Sequence, residues 1–267
     1  MAASPTLSGR ITRLAAYEKA ALALSVLVCA FLIIDPLVHN VVREFDPGTR
    51  HFFRGLTNLG KSGWVLIVSG ALILLFAWMG AKQTSPRRTA GYNLARQFLM
   101  YLFATVALSG LSVSLFKNIL GRARPKYFET LGPFEFQPFA FNHNFASFPS
   151  GHATTTGALV GVLAIVFPRA RVPLFIAGAW IASTRFLIDA HYFSDAVAGV
   201  AIGLASAYFL RDRLAHRDWL FRKYEDGSIK LRGQVLLRTA TGGVTSGIEA
   251  FGRDLLERAK PGKEPRQ

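Results

Sequence analysis

Eight residues have types and spacings that point to chemistry: Lys117, Arg124, Ser150, Gly151, His152, Arg185, His191 and Asp195. They fall in three clusters. The first runs from Lys117 to Arg124-Pro125, the second is Pro149-Ser150-Gly151-His152, and the third runs from Thr184-Arg185 through His191 to Asp195. Lys117, Arg124 and Arg185 are fixed positive charges. Arginine's planar fork matches phosphate oxygens, and lysine adds a point charge. Ser150 and Gly151 open a helix, where free backbone N–H groups and the dipole favour an anion, and Pro149 suits a chain turning into that helix. Together these residue types describe a cradle for a phosphoryl group, with donors set to stabilise its equatorial oxygens during transfer. His191 and Asp195 are four apart and share a face if that stretch is helical. A carboxylate bonded to one imidazole nitrogen leaves the other free as base or nucleophile. His152, from another helix, can give a proton to a leaving oxygen. Two histidines and the cradle therefore supply nucleophile, acid and charge stabilisation without a metal. Zinc on both histidines and Asp195 is the rival reading, and the three nearby cations oppose it.

Taken singly, each cluster has an ordinary explanation. A cation at a helix end anchors an interface, a Ser-Gly-His at a helix start is a cap, and a His/Asp pair is a local ion pair. Hydropathy sets these apart. Ser62 to Ala81 and Gln97 to Phe116 are uncharged and long enough to span a bilayer, and Ala20 to Val38 is broken only by Asp35. Ala153 to Phe167, Val172 to Thr184 and Ala196 to Leu210 are shorter and become spans if their polar flanks lie at the boundary. The expectation is an all-α, polytopic membrane protein of about six transmembrane helices. With the N-terminus inside, odd helices exit and even helices enter at the outer face. All three clusters then meet at the outer helix ends.

Composition agrees with a membrane chain. Its 267 residues are 51% hydrophobic with a mean hydropathy of +0.30. The net charge of +15 comes from basic residues between and beyond apolar runs, which suits anionic lipid headgroups and topology signals. No basic cluster is interleaved with aromatics as a base-stacking surface requires, so no nucleic-acid partner is expected. Arg10, Arg13 and Lys19, then Lys82, Arg87, Arg88 and Arg96, then Arg169 and Arg171, and the basic tail from Arg211 all fall inside in this topology, with both termini cytoplasmic. The division is a cytoplasmic N-terminal segment at 1–19, a six-helix membrane domain at 20–211 and a basic cytoplasmic tail at 212–267.

Cys29 is the only cysteine, so neither an intrachain disulfide nor a cysteine metal site is expected; it reads as a small buried apolar residue. The first apolar run reads as a retained helix, not a cleaved signal. The segment with Val41, Val42, Phe45, Phe52, Phe53 and Leu56 among Arg43, Arg50 and Arg54 reads as an outer amphipathic piece or an ordinary loop. The tail carries Val235, Leu236, Ile248, Phe251, Leu255 and Leu256 and reads as a frayed amphipathic segment. Gly157-x-x-x-Gly161 and Gly199-x-x-x-Gly203 permit close helix packing, either internal or between copies. His39, His51, His143 and His216 read as surface or interfacial. Asp35 is a mild functional flag near an outer helix end, where solvation costs little; Asp189 is similar. Eight aromatics (Tyr127, Phe128, Phe134, Phe136, Phe139, Phe141, Phe145 and Phe148) fill the loop 126–148. They cap the site, touch lipid, or pack the loop on the helix ends.

These motifs resemble the type-2 phosphatidic acid phosphatase superfamily, in its bacterial membrane branch. The family pattern is K-x6-R-P, then P-S-G-H, then S-R-x5-H-x3-D. The sequence matches it with Lys117 and Arg124-Pro125, with Pro149 to His152, and with Arg185, His191 and Asp195 at the same spacings. Thr184 stands where the family has serine and keeps a hydroxyl. The resemblance extends through the helices from about Ala20 to Leu210.

It implies a metal-independent, cofactor-free hydrolase of the cytoplasmic (inner) membrane with its site facing the periplasm. It implies that His191 forms a phosphohistidine, Asp195 orients it, and His152 protonates the leaving group. Lys117, Arg124, Ser150, Gly151 and Arg185 would bind the phosphoryl oxygens. The implied substrates are lipid phosphomonoesters or diphosphates, with undecaprenyl diphosphate or a lipid A phosphate ahead of phosphatidylglycerol phosphate and phosphatidic acid. A lipid phosphotransferase would use the same motifs. Six spans argue against the haloperoxidases that share the family's core, and the paired histidines argue against a non-catalytic lipid-binding or channel protein.

Overall fold

The structure, a computed structural model, describes residues 16–232. They are largely helical. The first apolar run forms α1 (Ala16–Cys29) and α2 (Asp35–Val42), joined by a π-helical turn at Ala30–Ile34. Then come α3 (Pro47–Thr57), α4 (Ser62–Ala81), α5 (Pro86–Leu120), the single turn α6 (Phe128–Leu131), α7 (Gly151–Val166), α8 (Arg171–Leu187) and α9 (Phe193–Ala215). A hairpin of β1 (Phe221–Lys223) and β2 (Ile229–Leu231) follows. The N-terminal residues 1–15 and the tail from 233 on, with its apolar positions Val235 to Leu256, lie outside the described residues.

Among the described residues, four stretches are long and apolar enough to cross a bilayer: Leu24–Val42, Pro47–Ala81, Pro86–Leu120 and Phe193–Ala215. The six expected helices all form, but α7 and α8 are only 16 and 17 residues long. At 1.5 Å per residue each reaches about 25 Å, short of the ~30 Å hydrocarbon thickness. For α7 the reason is its position. Pro149 and Pro168 bracket it, and most of its residues are buried among other helices. A helix wrapped in protein need not match the lipid.

Two compact units divide the chain. One comprises Met1–Leu75 with Phe98–Arg211, and the other Phe76–Gln97 with Asp212–Gln267. In the second, the Phe76 and Tyr92 rings meet at 6.0 Å, and Lys82 Nζ sits 3.9 Å above the Trp78 ring. The β1–β2 hairpin also lies there, with Leu220 and Phe221 buried. It occupies the head of the stretch 212–267 that the sequence reads as a basic tail.

In the first unit, α7 and α9 pack backbone to backbone. A Cβ at Gly157 would lie 2.3 Å from Val200 O, and one at Gly203 would lie 2.2 Å from Thr154 O and 2.5 Å from Ala158 N. Both small-residue motifs are thus spent on one internal interface. Gly203→Ala should therefore cost about 2–3 kcal/mol, because the clash is with rigid backbone. Thermal unfolding of the purified protein in detergent reads this directly, and an unchanged midpoint would mean that the two helices separate freely. Tyr101 Oη adds a hydrogen bond from α5 to Ala207 O at 2.8 Å.

Cys29 is exposed, against expectation. It lies on an outward face of the first span, which an apolar thiol tolerates as well as a buried position.

Candidate active site

The three clusters come together through backbone hydrogen bonds at the ends of α5, α7, α8 and α9. The chain leaves α5 at Gly121, whose φ is +65° and whose Cβ would collide with Gln137 O at 1.7 Å. Only glycine fits that exit. Residues 121–124 are then laced to the aromatic loop: Ala123 N–H bonds Glu135 O, Arg124 N–H bonds Asn144 O, and Ser147 N–H bonds Arg122 O. Ser150 N–H bonds Asp195 O at 3.0 Å, tying the second cluster to the third. The spacing of Arg185 and His191 also has a local cause, because His191 N–H returns to Arg185 O at 3.2 Å as the chain leaves α8.

His191 is almost wholly buried, in the non-helical turn before α9. The expected helical stacking of His191 on Asp195 is therefore absent. Nδ1 lies 2.8 Å from the Ser147 carbonyl and 3.6 Å from Asp195 Oδ2. A carbonyl can only accept, so Nδ1 carries the proton and Nε2 keeps a free lone pair. The direct partner of the ring is a main-chain oxygen, and Asp195 supplies charge one step further away. Burial pushes the His191 pKa down to about 4, against the pull of Asp195. The ring is neutral at working pH, as a nucleophile must be. Sequence alone offers no signal for Ser147, because it contributes a carbonyl, which every residue has.

Asp195 is fully buried. Its Oδ2 accepts from Ser147 Oγ at 2.5 Å and Tyr192 N–H at 2.9 Å, and its Oδ1 accepts from Arg122 Nη1 at 2.5 Å. Arg122 sits in the first motif without an assigned role. It is a missed residue of this neighbourhood, and so is its second partner Asp35. Far from being solvated, Asp35 is 1% exposed and accepts from Arg122 Nη2 at 2.8 Å. An acidic residue inside an apolar span needs a buried cation, and that requirement was the available signal. His39 is another correction. It is buried, pairs with Asp189 at 3.0 Å and packs on the Phe128 ring, because α2 turns it inward. His51, His143 and His216 are exposed as expected.

Two of the expected cradle residues keep free donors. Ser150 precedes α7 without capping it, and its buried Oγ has no partner; Arg185 Nε is likewise buried and unpartnered. Arg185 Nη1 donates to Thr57 Oγ1 at 2.8 Å, so the end of α3 helps aim it. Arg124 is held by His143 O at 2.8 Å and Ala190 O at 3.2 Å. Burial lowers its pKa without taking it out of the charged range. A Cβ at Gly151 would meet nothing, leaving open space over the helix start. His152 lies within electrostatic reach of Arg185, His191, Lys61 and Arg124. Arg124, burial, Lys117 and Lys126 all lower the pKa of the exposed His143, so the three cations lie within electrostatic reach of it. Lys61 is an additional cation here, outside the motifs. Thr184 uses its hydroxyl on Ile181 O at 2.6 Å. That local bond is one serine can also make, so the substitution is silent in the site.

The aromatic loop divides. Phe134, Phe136, Phe139 and Phe141 are exposed, while Tyr127 stacks on Phe145 and Phe148 packs edge-on against Phe31. Phe148 and Phe128, which packs on His39, thus hold the loop against the first span, Tyr127 and Phe145 brace the loop internally, and the other four rings face outward.

Such an arrangement can accept a phosphoryl group among free N–H and guanidinium donors, beside a neutral imidazole with an open nitrogen. The molecule is a polytopic membrane protein with a buried polar site among its helix ends, a phosphoric-ester hydrolase of the membrane. The chain belongs to the PAP2 superfamily, whose model matches residues 98–218. It is 38% identical over 179 residues to lipid A 1-phosphatase of Rhizobium johnstonii, covering 67% of this chain and 73% of that protein. It is 42% identical over 151 residues to lipid A 1-phosphatase of Rhizobium etli, covering 55% of this chain and 64% of that one. The crystal structure of Aquifex aeolicus LpxE is similar with a TM-score of 0.48 and 19% identity, covering 67% of this chain and 95% of that one.

Proposed function

We propose that this protein removes the 1-phosphate of lipid A through a phosphohistidine at His191, on the periplasmic side of the inner membrane. The observation that carries the chemistry is the His191 ring, with its Nδ1–H held by Ser147 O and its Nε2 open. The similarity to two lipid A 1-phosphatases supports lipid A as the substrate. The excess of Lys and Arg in the segments placed inside supports an outward-facing site.

In this reading Lys117, Arg124, Arg185, Ser150 Oγ and the N–H groups around Gly151 hold the phosphoryl oxygens. The Nε2 lone pair forms a bond to phosphorus while the bond to the leaving oxygen breaks, and protonated His152 supplies the proton that oxygen takes up. The phosphate's own negative charge favours that protonated state. Asp195 stabilises the positive ring of the phosphohistidine. Water then attacks phosphorus, His152 takes its proton, the P–N bond breaks, and phosphate leaves. No step calls for a metal or cofactor.

The test is release of phosphate from lipid A 1,4′-bisphosphate in mixed micelles, in excess chelator, with products resolved by mass spectrometry. Loss of the 1-phosphate alone is the expected result. Loss of the 4′-phosphate, or turnover of undecaprenyl diphosphate only, would overturn the substrate. Transfer of the phosphoryl group to another lipid would make the protein a phosphotransferase.

A further inference from the structure

Behind His191 lies a charged cluster that the motifs do not explain. Arg122 is fully buried and joins two buried carboxylates, Asp195 at 2.5 Å from Nη1 and Asp35 at 2.8 Å from Nη2. Its guanidinium lies between the Phe31 and Tyr192 rings, 4.1 Å and 4.0 Å from their centroids. Ser194 closes the cluster: its Oγ and N–H donate to Asp35 at 2.5 Å and 2.8 Å, and its Oγ accepts from Arg122 at 2.9 Å. Two carboxylates and one guanidinium leave a net negative charge in a dry place.

We propose that Asp35 and Arg122 are positioning residues for phosphoryl transfer, acting on the nucleophile through Asp195 and Ser147. The inference rests on the reading of His191 as nucleophile.

Three observations carry it. First, Arg122 holds both groups that orient the ring. Its side chain binds Asp195, and its carbonyl accepts the N–H of Ser147 at 3.1 Å. Ser147 in turn accepts from His191 and donates to Asp195. Second, the two oxygens of Asp195 are sorted. Oδ1 takes Arg122, while Oδ2 takes Ser147 and Tyr192 and faces His191. Third, Asp35 shares the other half of the guanidinium with the Pro133 carbonyl: Nη2 donates to Asp35 Oδ2 at 2.8 Å and to Pro133 O at 3.0 Å, and Nε to Pro133 O at 3.1 Å. Without the Asp35 carboxylate, Asp195 would be the guanidinium's one charged partner, and more of its charge would be spent on Arg122 and less offered to the ring. With it, the cluster keeps a negative charge for the imidazolium that forms on phosphorylation. A tie between helices alone would not demand this chemistry, since an apolar trio can do that job without the desolvation cost of three buried charges.

The experiment is a double-mutant cycle on the full-length protein in detergent, with Asp35→Asn, Asp195→Asn and the pair, plus Ser194→Ala. Turnover of lipid A is measured, or of dioctanoyl phosphatidic acid if the parent leaves lipid A untouched, together with inhibition by inorganic vanadate. Asp35→Asn is expected to lower kcat about 10- to 100-fold with KM and vanadate inhibition within about threefold, because the cradle is intact. In the Asp195→Asn background the same change should add less than about threefold, since its route of action is gone. Ser194→Ala removes one bridge without stranding a charge and should lower kcat about 3- to 10-fold, again with vanadate unaffected. Parent-like kcat in Asp35→Asn beside an impaired Asp195→Asn would overturn this inference alone, as would losses that multiply. Parent-like kcat in Asp195→Asn would overturn the role of Asp195 and this inference with it. Should Asp35→Asn fail to fold, parent-like kcat in Ser194→Ala overturns the proposal.

Discussion

His191→Ala should lower turnover by about 10⁵-fold or more, which corresponds to roughly 7 kcal/mol of lost transition-state stabilisation. The size follows from the proposed phosphohistidine route. With the ring gone, no covalent intermediate can form, and water would have to attack phosphorus directly in a cradle that remains otherwise assembled. The ring's own structural contribution is modest. Its removal strands the Ser147 carbonyl, a loss of about 1–3 kcal/mol, while Asp195 Oδ2 keeps its bonds from Ser147 Oγ and Tyr192 N–H. The protein should therefore stay folded, which its far-ultraviolet circular dichroism and detergent elution volume will report. Phosphate release and acid-labile phosphoenzyme, measured side by side, check the chemistry. Turnover within tenfold of the parent would assign the nucleophile elsewhere, with His152 as the next candidate.

Arg185→Lys should lower kcat/KM by about 10²- to 10³-fold, or roughly 3–4 kcal/mol. The two side chains carry the same charge, so the effect isolates geometry. Arg185 spends Nη1 on Thr57 Oγ1 and still presents an unpartnered buried Nε. In the proposed cradle its rigid fork would serve the protein and the ligand at once. A lysine has one nitrogen: held by Thr57 it misses the phosphate, and turned to the phosphate it abandons the end of α3. Both kcat and KM should suffer, because the donor acts in the ground state and the transition state. Steady-state kinetics across a range of lipid concentration in micelles will separate the two, and near-parent values would place Arg185 outside the cradle.

Much of this protein was written locally in its sequence. Uncharged runs of about twenty residues can only satisfy their backbone in lipid as helices, and so α4 and α5 were readable by length alone. The three chemical clusters were readable because each sits at a helix end, and parity then brought them to one face. The phosphate cradle and the two histidines follow from residue type, since side-chain charge and donor geometry do not depend on the fold.

Other features depend on which distant segments meet. The Gly-x-x-x-Gly motifs allow close packing with any partner, and only the approach of Val200 and Thr154 backbone makes the α7–α9 interface internal. Helix length in α7 reflects burial by neighbours, which hydropathy does not record. His39 and Asp35 are polar residues in an apolar run whose partners, Asp189 and Arg122, lie 150 and 87 positions away. The Ser147 carbonyl that orients His191 has no sequence signature. Residue chemistry thus determined what this protein can do to a phosphate. Tertiary structure alone decided which atoms hold His191, because long-range pairings in a low-dielectric interior are set by packing and not by spacing.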